Sequence, residues 1–418
     1  MNLLYTLQSD YIHICNFSST CTPAPVIQRL FTRLTRQAGP VSQIEPKRKK
    51  KVKEMASSSA VTLTDAVVSR YSACRVFTAT SNVLDSDRSV LLSPVTSFDI
   101  EPVEGSLGLA SHGRRNAVTL FDLDAGVLIQ RFNRVASENG VAQAKFTRRV
   151  VDSSCLIVPY VSPSDTLSYA IRTYSLLQST TLRTFPGHGQ QVCSLAQSPV
   201  DDVFVSADVG GEVRIWDARL ALSCVGRTRL PASADSMNAD DTVTVAFHPN
   251  GTTLAVMKSS TGTVRLFNLA KLDNGPFAVF QAGSELRLPR PLFAGAQPDP
   301  VTYVDFRFSP TGSMLLVTTD RNICFALDPN GGKLLYQCDI VSTQMCQAVP
   351  SFSCDGKYFA VNGSGGPMVF RASDGQLVNS LQGGNSCSTS RTCCFSPRSE
   401  LLVTSGEDAT ILWCEREA

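Results

Sequence analysis

The sequence predicts an all-β fold in which seven similar units form a closed ring. Apolar residues alternate with a period near two, and a helical period of 3.6 residues is almost absent. A β-rich run that ends like Phe308-Ser309-Pro310 recurs at intervals of 43 to 61 residues. Each unit also contains a later run of β-branched and aromatic residues, such as 213–217. A repeat of this length indicates stacked sheets rather than one continuous core.

Two landmarks define each unit in chain order. The first is a turn position directly after the opening strand, at Pro102, Arg148, Pro199, Pro249, Pro310, Cys354 and Pro397. The second is a predicted third strand, at residues 118–122, 171–174, 213–217, 264–268, 323–328, 367–370 and 410–413. Four short strands in each unit, with a terminal Trp-Asp pair, are typical of a WD40 β-propeller.

Closure of the ring needs one strand from outside the seventh unit, because that unit stops after Trp413. Residues 73–77 precede the first complete unit and have the composition of a strand. We expect them to supply the outer strand of the seventh blade, which joins the chain ends and removes a free edge. The predicted propeller therefore spans residues 61–418.

A basic leader precedes the propeller. Residues 1–54 have a net charge of +6 and the remainder −4, although the whole chain has only +2. We expect residues 1–60 to be disordered. Six cations resemble a nuclear import signal: Lys47, Arg48, Lys49, Lys50, Lys51 and Lys53. The alternatives are a solubilising tail, an organelle transit segment, or a translated extension upstream of Met55.

The composition and the motif search argue against several classes of function. With 43% hydrophobic residues and a net charge of +2, the chain is neither wholly disordered nor a broadly basic nucleic-acid binder. Phosphate-binding loops, serine-nucleophile elbows and zinc-binding helices are absent from the sequence, and most of the fourteen cysteines stand singly in apolar runs. The sequence predicts a soluble, intracellular, non-enzymatic body with no catalytic residue, no cofactor, no metal site and no membrane contact.

The third blade carries a candidate structural tetrad. His188, Ser206 and Trp216 match the His, Ser and Trp that form a buried hydrogen-bond network in WD repeats. Gly210 stands six residues before Trp216, so the acidic member is either missing or replaced by Asp208. The expectation is a weakened network with a partly satisfied histidine.

Several stretches resemble one WD-repeat family, the small propeller subunit shared by the COMPASS histone methyltransferase and the cleavage and polyadenylation machinery. They are residues 63–68, 75–77, 183–188, 198–202, 214–219 and 274–280. The resemblance implies a non-catalytic nuclear scaffold, monomeric within a hetero-complex. It would link a methyltransferase, or a phosphatase-containing termination complex, to RNA polymerase II with a phosphorylated tail. The sequence departs from the family in the leader and at residues 82–92, 231–241 and 283–300.

Two binding hypotheses follow. Arg114, Arg115 and Arg321 lie in loops between second and third strands, and they could bind a phosphopeptide through charge-assisted bonds. The alternative function is a substrate receptor of a cullin-RING ubiquitin ligase, because Trp216-Asp217-Ala218-Arg219 resembles the adaptor-binding box of such receptors. Simpler explanations are solvated surface charge for the three arginines and a strand-end cap for Arg219.

Overall fold

The computed structural model describes the chain between residues 62 and 415, with gaps. The described ranges are 62–78, 95–113, 116–135, 140–148, 154–159, 169–220, 223–231, 242–284, 286, 301–341, 349–363, 365–382, 390–406 and 409–415. The leader at 1–60 and its basic motif (Lys47 to Lys53) lie outside these ranges. So do residues 82–92 and most of the two segments at 231–241 and 283–300.

The described residues form 28 strands in seven antiparallel sheets of four strands each, so the prediction of a seven-bladed β-propeller is confirmed. Blade one contains β2 (Val95–Ile100), β3 (Leu107–His112), β4 (Ala117–Asp122) and β5 (Val127–Asn133). Blade two contains β6 (Val141–Phe146), β7 (Ser154–Pro159), β8 (Ile171–Ser175) and β9 (Thr180–Phe185). Blade three contains β10 (Val192–Gln197), β11 (Val203–Asp208), β12 (Glu212–Asp217) and β13 (Cys224–Arg229).

The remaining blades repeat this order. Blade four contains β14 (Val243–Phe247), β15 (Thr253–Lys258), β16 (Thr263–Asn268) and β17 (Ala278–Gln281). Blade five contains β18 (Tyr303–Phe308), β19 (Leu315–Thr319), β20 (Ile323–Leu327) and β21 (Leu334–Asp339). Blade six contains β22 (Ser351–Phe352), β23 (Tyr358–Asn362), β24 (Pro367–Arg371) and β25 (Leu377–Ser380). Blade seven contains β26 (Ser390–Phe395), β27 (Leu402–Gly406), β28 (Ala409–Glu415) and, from the start of the chain, β1 (Tyr71–Thr78).

Alternation along the third strands explains how the blades stack. On β12, Trp216 faces blade two and packs with Phe185, whereas Ile215 faces blade four and packs with Val243. Each central strand therefore presents apolar side chains to two neighbours, which is why one blade cannot fold alone. The core is a series of inter-blade layers around the ring.

The start of the chain is attached to the end of the ring. β1 pairs with β28 in antiparallel register, with Tyr71 opposite Glu415 and Ala73 opposite Trp413. Before it, a short helix α1 (Asp65–Ser69) begins at the N-cap residue Thr64. The Tyr358 hydroxyl of blade six donates to Asp65 at 2.6 Å, so this segment contacts the last two blades. Closure by pairing leaves β28 with a partner on both sides.

Helices contribute little to the described part of the chain. Besides α1, a 3-10 helix (Leu269–Asn274) precedes β17 and packs Leu272 against Gly226 of β13. Neither these nor any other helix in the described ranges is long and apolar enough to cross a membrane.

Candidate functional site

The tetrad residues of blade three lie together in one hydrogen-bonded chain. The Trp216 indole N–H donates to Ser206 Oγ at 2.8 Å, and Ser206 Oγ is 2.6 Å from His188 Nε2. His188 Nδ1 lies 2.9 Å from Asp208 Oδ2. One set of hydrogen-bond directions gives both ring nitrogens of a neutral histidine a partner. The serine hydroxyl donates to Nε2, and the Nδ1–H group donates to the Asp208 carboxylate. The chain joins β11, β12 and the turn before β10.

Asp208 is the acidic member of this chain. Its Oδ1 also accepts the backbone N–H of Glu212 at 3.0 Å, so it closes the β11–β12 turn as well as holding His188. The expectation of a partly satisfied histidine is therefore wrong, because both ring nitrogens have partners. The signal in the sequence was an aspartate two residues before Gly210, at the end of the second strand.

Ser206, His188 and Asp208 have the donor order of a hydrolytic triad, but their burial prevents that chemistry. The His188 side chain is fully buried and Ser206 has no exposed surface. Ser206 Oγ also accepts from Trp216, which leaves no approach for a substrate carbonyl. We assign these residues to stabilisation of the blade.

His188, Asp208 and Glu212 also place potential metal-ligand atoms within 4.8 Å of one another. Each group already has a protein partner, since Glu212 Oε1 lies 2.9 Å from Arg214 Nη2 and His188 uses both nitrogens. A cation would have to displace these bonds, so the donor set fits a hydrogen-bonded network better than a metal site.

The predicted phosphopeptide residues are divided between two loops. Arg321 lies between β19 and β20, half-buried, with its Nε 3.9 Å from Asp320 Oδ1. Arg114 and Arg115 belong to the β3–β4 connection and lie outside the described residues. Blades six and seven separate these loops along the shorter path around the ring.

The proposed adaptor box ends in a local ion pair. Arg219 Nε and Nη2 donate to the two carboxylate oxygens of Asp217 at 2.9 and 2.6 Å, and the Arg219 backbone N–H also donates to Asp217. Trp216 is buried, whereas about half of the Arg219 side chain is exposed. Arg219 is the member of the box that a partner could reach, and Asp217 fixes its guanidinium at the end of β12.

The axial channel contains charged groups that the sequence analysis did not identify. A cavity of about 680 Å³ is lined by the first strands and contains Asp99, Lys145, Asp305 and Arg307. Arg307 pairs with Asp305 at 2.9 Å, and Asp99 accepts the Phe146 backbone N–H at 2.9 Å. Burial raises the pKa of Asp99 and lowers the pKa of Lys145. Two cations and two carboxylates leave these four groups without net charge.

The position of these channel charges has a signal in the sequence. Asp99, Lys145 and Arg307 each stand one residue before the last residue of a first strand. Strand alternation turns that position away from the inter-blade core and toward the axis. Recognising it requires knowing that the first strand of each blade is innermost.

Comparison with known proteins supports the repeat assignment. The WD domain, G-beta repeat model matches residues 179–217 and 372–413, which contain most of blades three and seven. The Arabidopsis thaliana protein ANTHESIS POMOTING FACTOR 1 is 30% identical over 47% of this chain and 52% of its own length. WD repeat-containing protein 82 of Drosophila melanogaster is 25% identical over 66% of this chain and 77% of its own.

The name of a further relative refers to a protein complex. The Set1 complex component swd2 of Schizosaccharomyces pombe is 26% identical over 60% of this chain and 61% of its own length. The aligned region thus spans about half to three quarters of these relatives.

Proposed function

Because the chain is a seven-bladed propeller with WD40 repeats, we propose that it is a non-catalytic scaffold subunit of a nuclear complex. The complex is either a COMPASS-type histone methyltransferase or a phosphatase-containing termination and polyadenylation complex. The observation that carries the proposal is the similarity to a Set1 complex component, which extends over 60% of the chain.

The chemistry of the described residues agrees with a scaffold. The Ser-His-Asp arrangement in blade three is buried away from solvent, and the four charged groups in the channel have a formal net charge of zero. What the ring offers to a partner is its surface of loops and outer strands. Partner proteins in a hetero-complex are therefore the ligand class that we propose.

The link to RNA polymerase II depends on the phosphorylated tail of that enzyme. Arg321, with Arg114 and Arg115 in the β3–β4 connection, would supply the cations. The test is binding of a phosphorylated tail peptide to a triple alanine variant whose thermal unfolding matches that of the parent. We expect weaker binding, and unchanged affinity would refute this role for the three arginines.

Nuclear localisation is part of the proposal and has two possible sources. The motif from Lys47 to Lys53 would direct import of the full chain, whereas a protein that starts at Met55 would enter with its partners. Mass spectrometry of the mature N-terminus distinguishes the two. Cytoplasmic retention of both forms in the presence of partners would contradict the proposal.

Affinity purification from nuclear extract, followed by mass spectrometry, tests the function itself. Recovery of methyltransferase subunits, or of phosphatase and polyadenylation subunits, is the expected outcome. Recovery of a cullin and its adaptor, lost on Arg219→Ala, would instead support the ubiquitin-ligase alternative. Intrinsic methyltransferase or phosphatase activity of the purified chain would overturn the non-catalytic assignment.

A further inference from the structure

The outer strand of blade three, β13, carries two exposed arginines. β13 is the last strand of its sheet and pairs with β12, so its other edge has no strand beside it among the described residues. Arg227 and Arg229 are both exposed on this strand, and they point to the same face because they are two residues apart. Within the described ranges, neither side chain forms a hydrogen bond or an ion pair.

The neighbouring strand β12 contributes Arg214 and Glu212 to this face, so the two exposed arginines of β13 account for its net positive charge. Arg214 of β12 lies directly opposite Arg227, an arrangement of like charges that destabilises a sheet unless an anion is nearby. Arg214 pairs with Glu212 at 2.9 Å, and its buried Nε has no hydrogen-bond partner among the described residues. The face therefore has three guanidinium groups and one carboxylate.

The face of β13 that carries Arg227 and Arg229 is accessible to solvent. The 3-10 helix from blade four packs Leu272 over Gly226, which lies opposite Ile215. Arg227 lies opposite Arg214, one position further along, and thus on the other face of the sheet. The helix consequently covers the face toward blade four. On the other face Arg227 and Arg229 are exposed, whereas Arg214 lies mostly buried beside Gly187.

We propose that an extended acidic segment of a partner polypeptide adds to β13 as a fifth strand of blade three. Its backbone would pair with the open edge, and acidic side chains at alternate positions would meet Arg227 and Arg229. The acidic side chains of the added strand would have the same spacing as the arginines of β13, because side chains two residues apart on a strand repeat about every 7 Å on both strands. The site lies on the outer edge, apart from the loops that carry Arg321, and so goes beyond the proposed function.

The binding test uses a labelled ten-residue peptide with glutamate at alternate positions and threonine between them. Fluorescence anisotropy measures its affinity for the full chain and for the double variant Arg227→Glu/Arg229→Glu. We expect the variant to bind about tenfold more weakly, since two exposed ion pairs are replaced by repulsions. The milder variant Arg227→Gln/Arg229→Gln should give a smaller loss in the same direction.

The matched control is Lys333→Glu/Lys357→Glu, which makes the same change in charge at exposed positions of blades five and six. It should bind within about twofold of the parent if the site is local. An equal loss in both double variants would show an effect of net charge and overturn the site. Only variants whose thermal unfolding midpoint equals that of the parent protein enter the comparison.

Two further measurements test strand addition. Hydrogen exchange of the amides of Cys224–Arg229 should slow when the peptide binds, and a peptide with its glutamates in one consecutive run should bind more weakly. Unchanged exchange together with equal binding of the two peptides would overturn the fifth-strand arrangement. Tighter binding of a ten-nucleotide single-stranded DNA than of the alternating peptide would overturn the acidic polypeptide as the ligand.

Discussion

Blade three and blade five have the same strand order but hold their strands together by different means. In blade three, Phe204 lies opposite Trp216, and two residues further along Ser206 begins the hydrogen-bonded chain to His188. In blade five, Leu315 lies opposite Leu327, and two residues further along Val317 is a fully buried part of an apolar cluster. Equivalent positions therefore carry a polar network in one blade and apolar packing in the other.

The difference teaches that the propeller geometry does not depend on the tetrad. Apolar packing in blade five requires only complementary shapes. Shortening one of its side chains therefore leaves a cavity but no unpaired polar group. The network in blade three fixes one arrangement of two strands and a turn, but it leaves buried polar groups unpaired when a member is removed. Substitutions in the two blades should consequently have unequal effects.

The largest effect is expected from His188→Ala. This substitution leaves Oδ2 of the buried Asp208 carboxylate without its histidine partner, while Oδ1 keeps the Glu212 N–H, and we expect a loss of about 3 kcal/mol in the free energy of unfolding. Urea unfolding followed by tryptophan fluorescence measures it. His248→Ala is the control, because His248 is only part-buried and bonds to backbone groups, and it should lose less than about 1 kcal/mol.

A smaller effect is expected in blade five from Val317→Ala. Removal of two carbon atoms from a fully buried site should lower the free energy of unfolding by about 2 kcal/mol, with no polar group left unpaired. The same urea titration compares it with His188→Ala. A loss larger than that of the histidine variant would reverse the contrast between the two blades.

Blade seven provides an intermediate case. The Trp413 indole N–H donates to Thr404 Oγ1 at 2.9 Å, at the position that Ser206 occupies in blade three. Thr404→Val keeps the shape and removes the acceptor, so we expect a loss of about 1 kcal/mol. Ser206→Ala should lose more than Thr404→Val in a parallel titration, because it interrupts two hydrogen bonds rather than one.

The smallest effect on stability is expected from alkylation of cysteines in the folded protein, which compares the same two blades. Burial raises the pKa of the Cys338 thiol in blade five to about 12, whereas Cys224 in blade three is exposed. At pH 8 the thiolate fraction of Cys338 should be roughly a thousandfold below that of an ordinary thiol. Brief alkylation with iodoacetamide, read by peptide mass spectrometry, should label Cys224 first. Equal labelling in the native protein would show that blade five opens readily.

Much of the fold could be predicted because it depends on local periodicity. The seven predicted third strands all coincide with strands of the structure, from β4 to β28. Alternation and turn residues are local signals, and they survive where the Trp-Asp signature is lost. The site was harder, because Asp208 acts through a contact with His188, twenty residues earlier in the chain.

The sequence by itself determined the repeat, the number of blades and the candidate tetrad, since each follows from residue types at regular spacing. Only the tertiary structure decided which groups meet. It placed Asp208 beside His188, gathered Asp99, Lys145, Asp305 and Arg307 in the channel, and set Arg214 opposite Arg227. The reason is physical: strand periodicity is encoded within a few residues, whereas these contacts depend on register and on the closure of a ring.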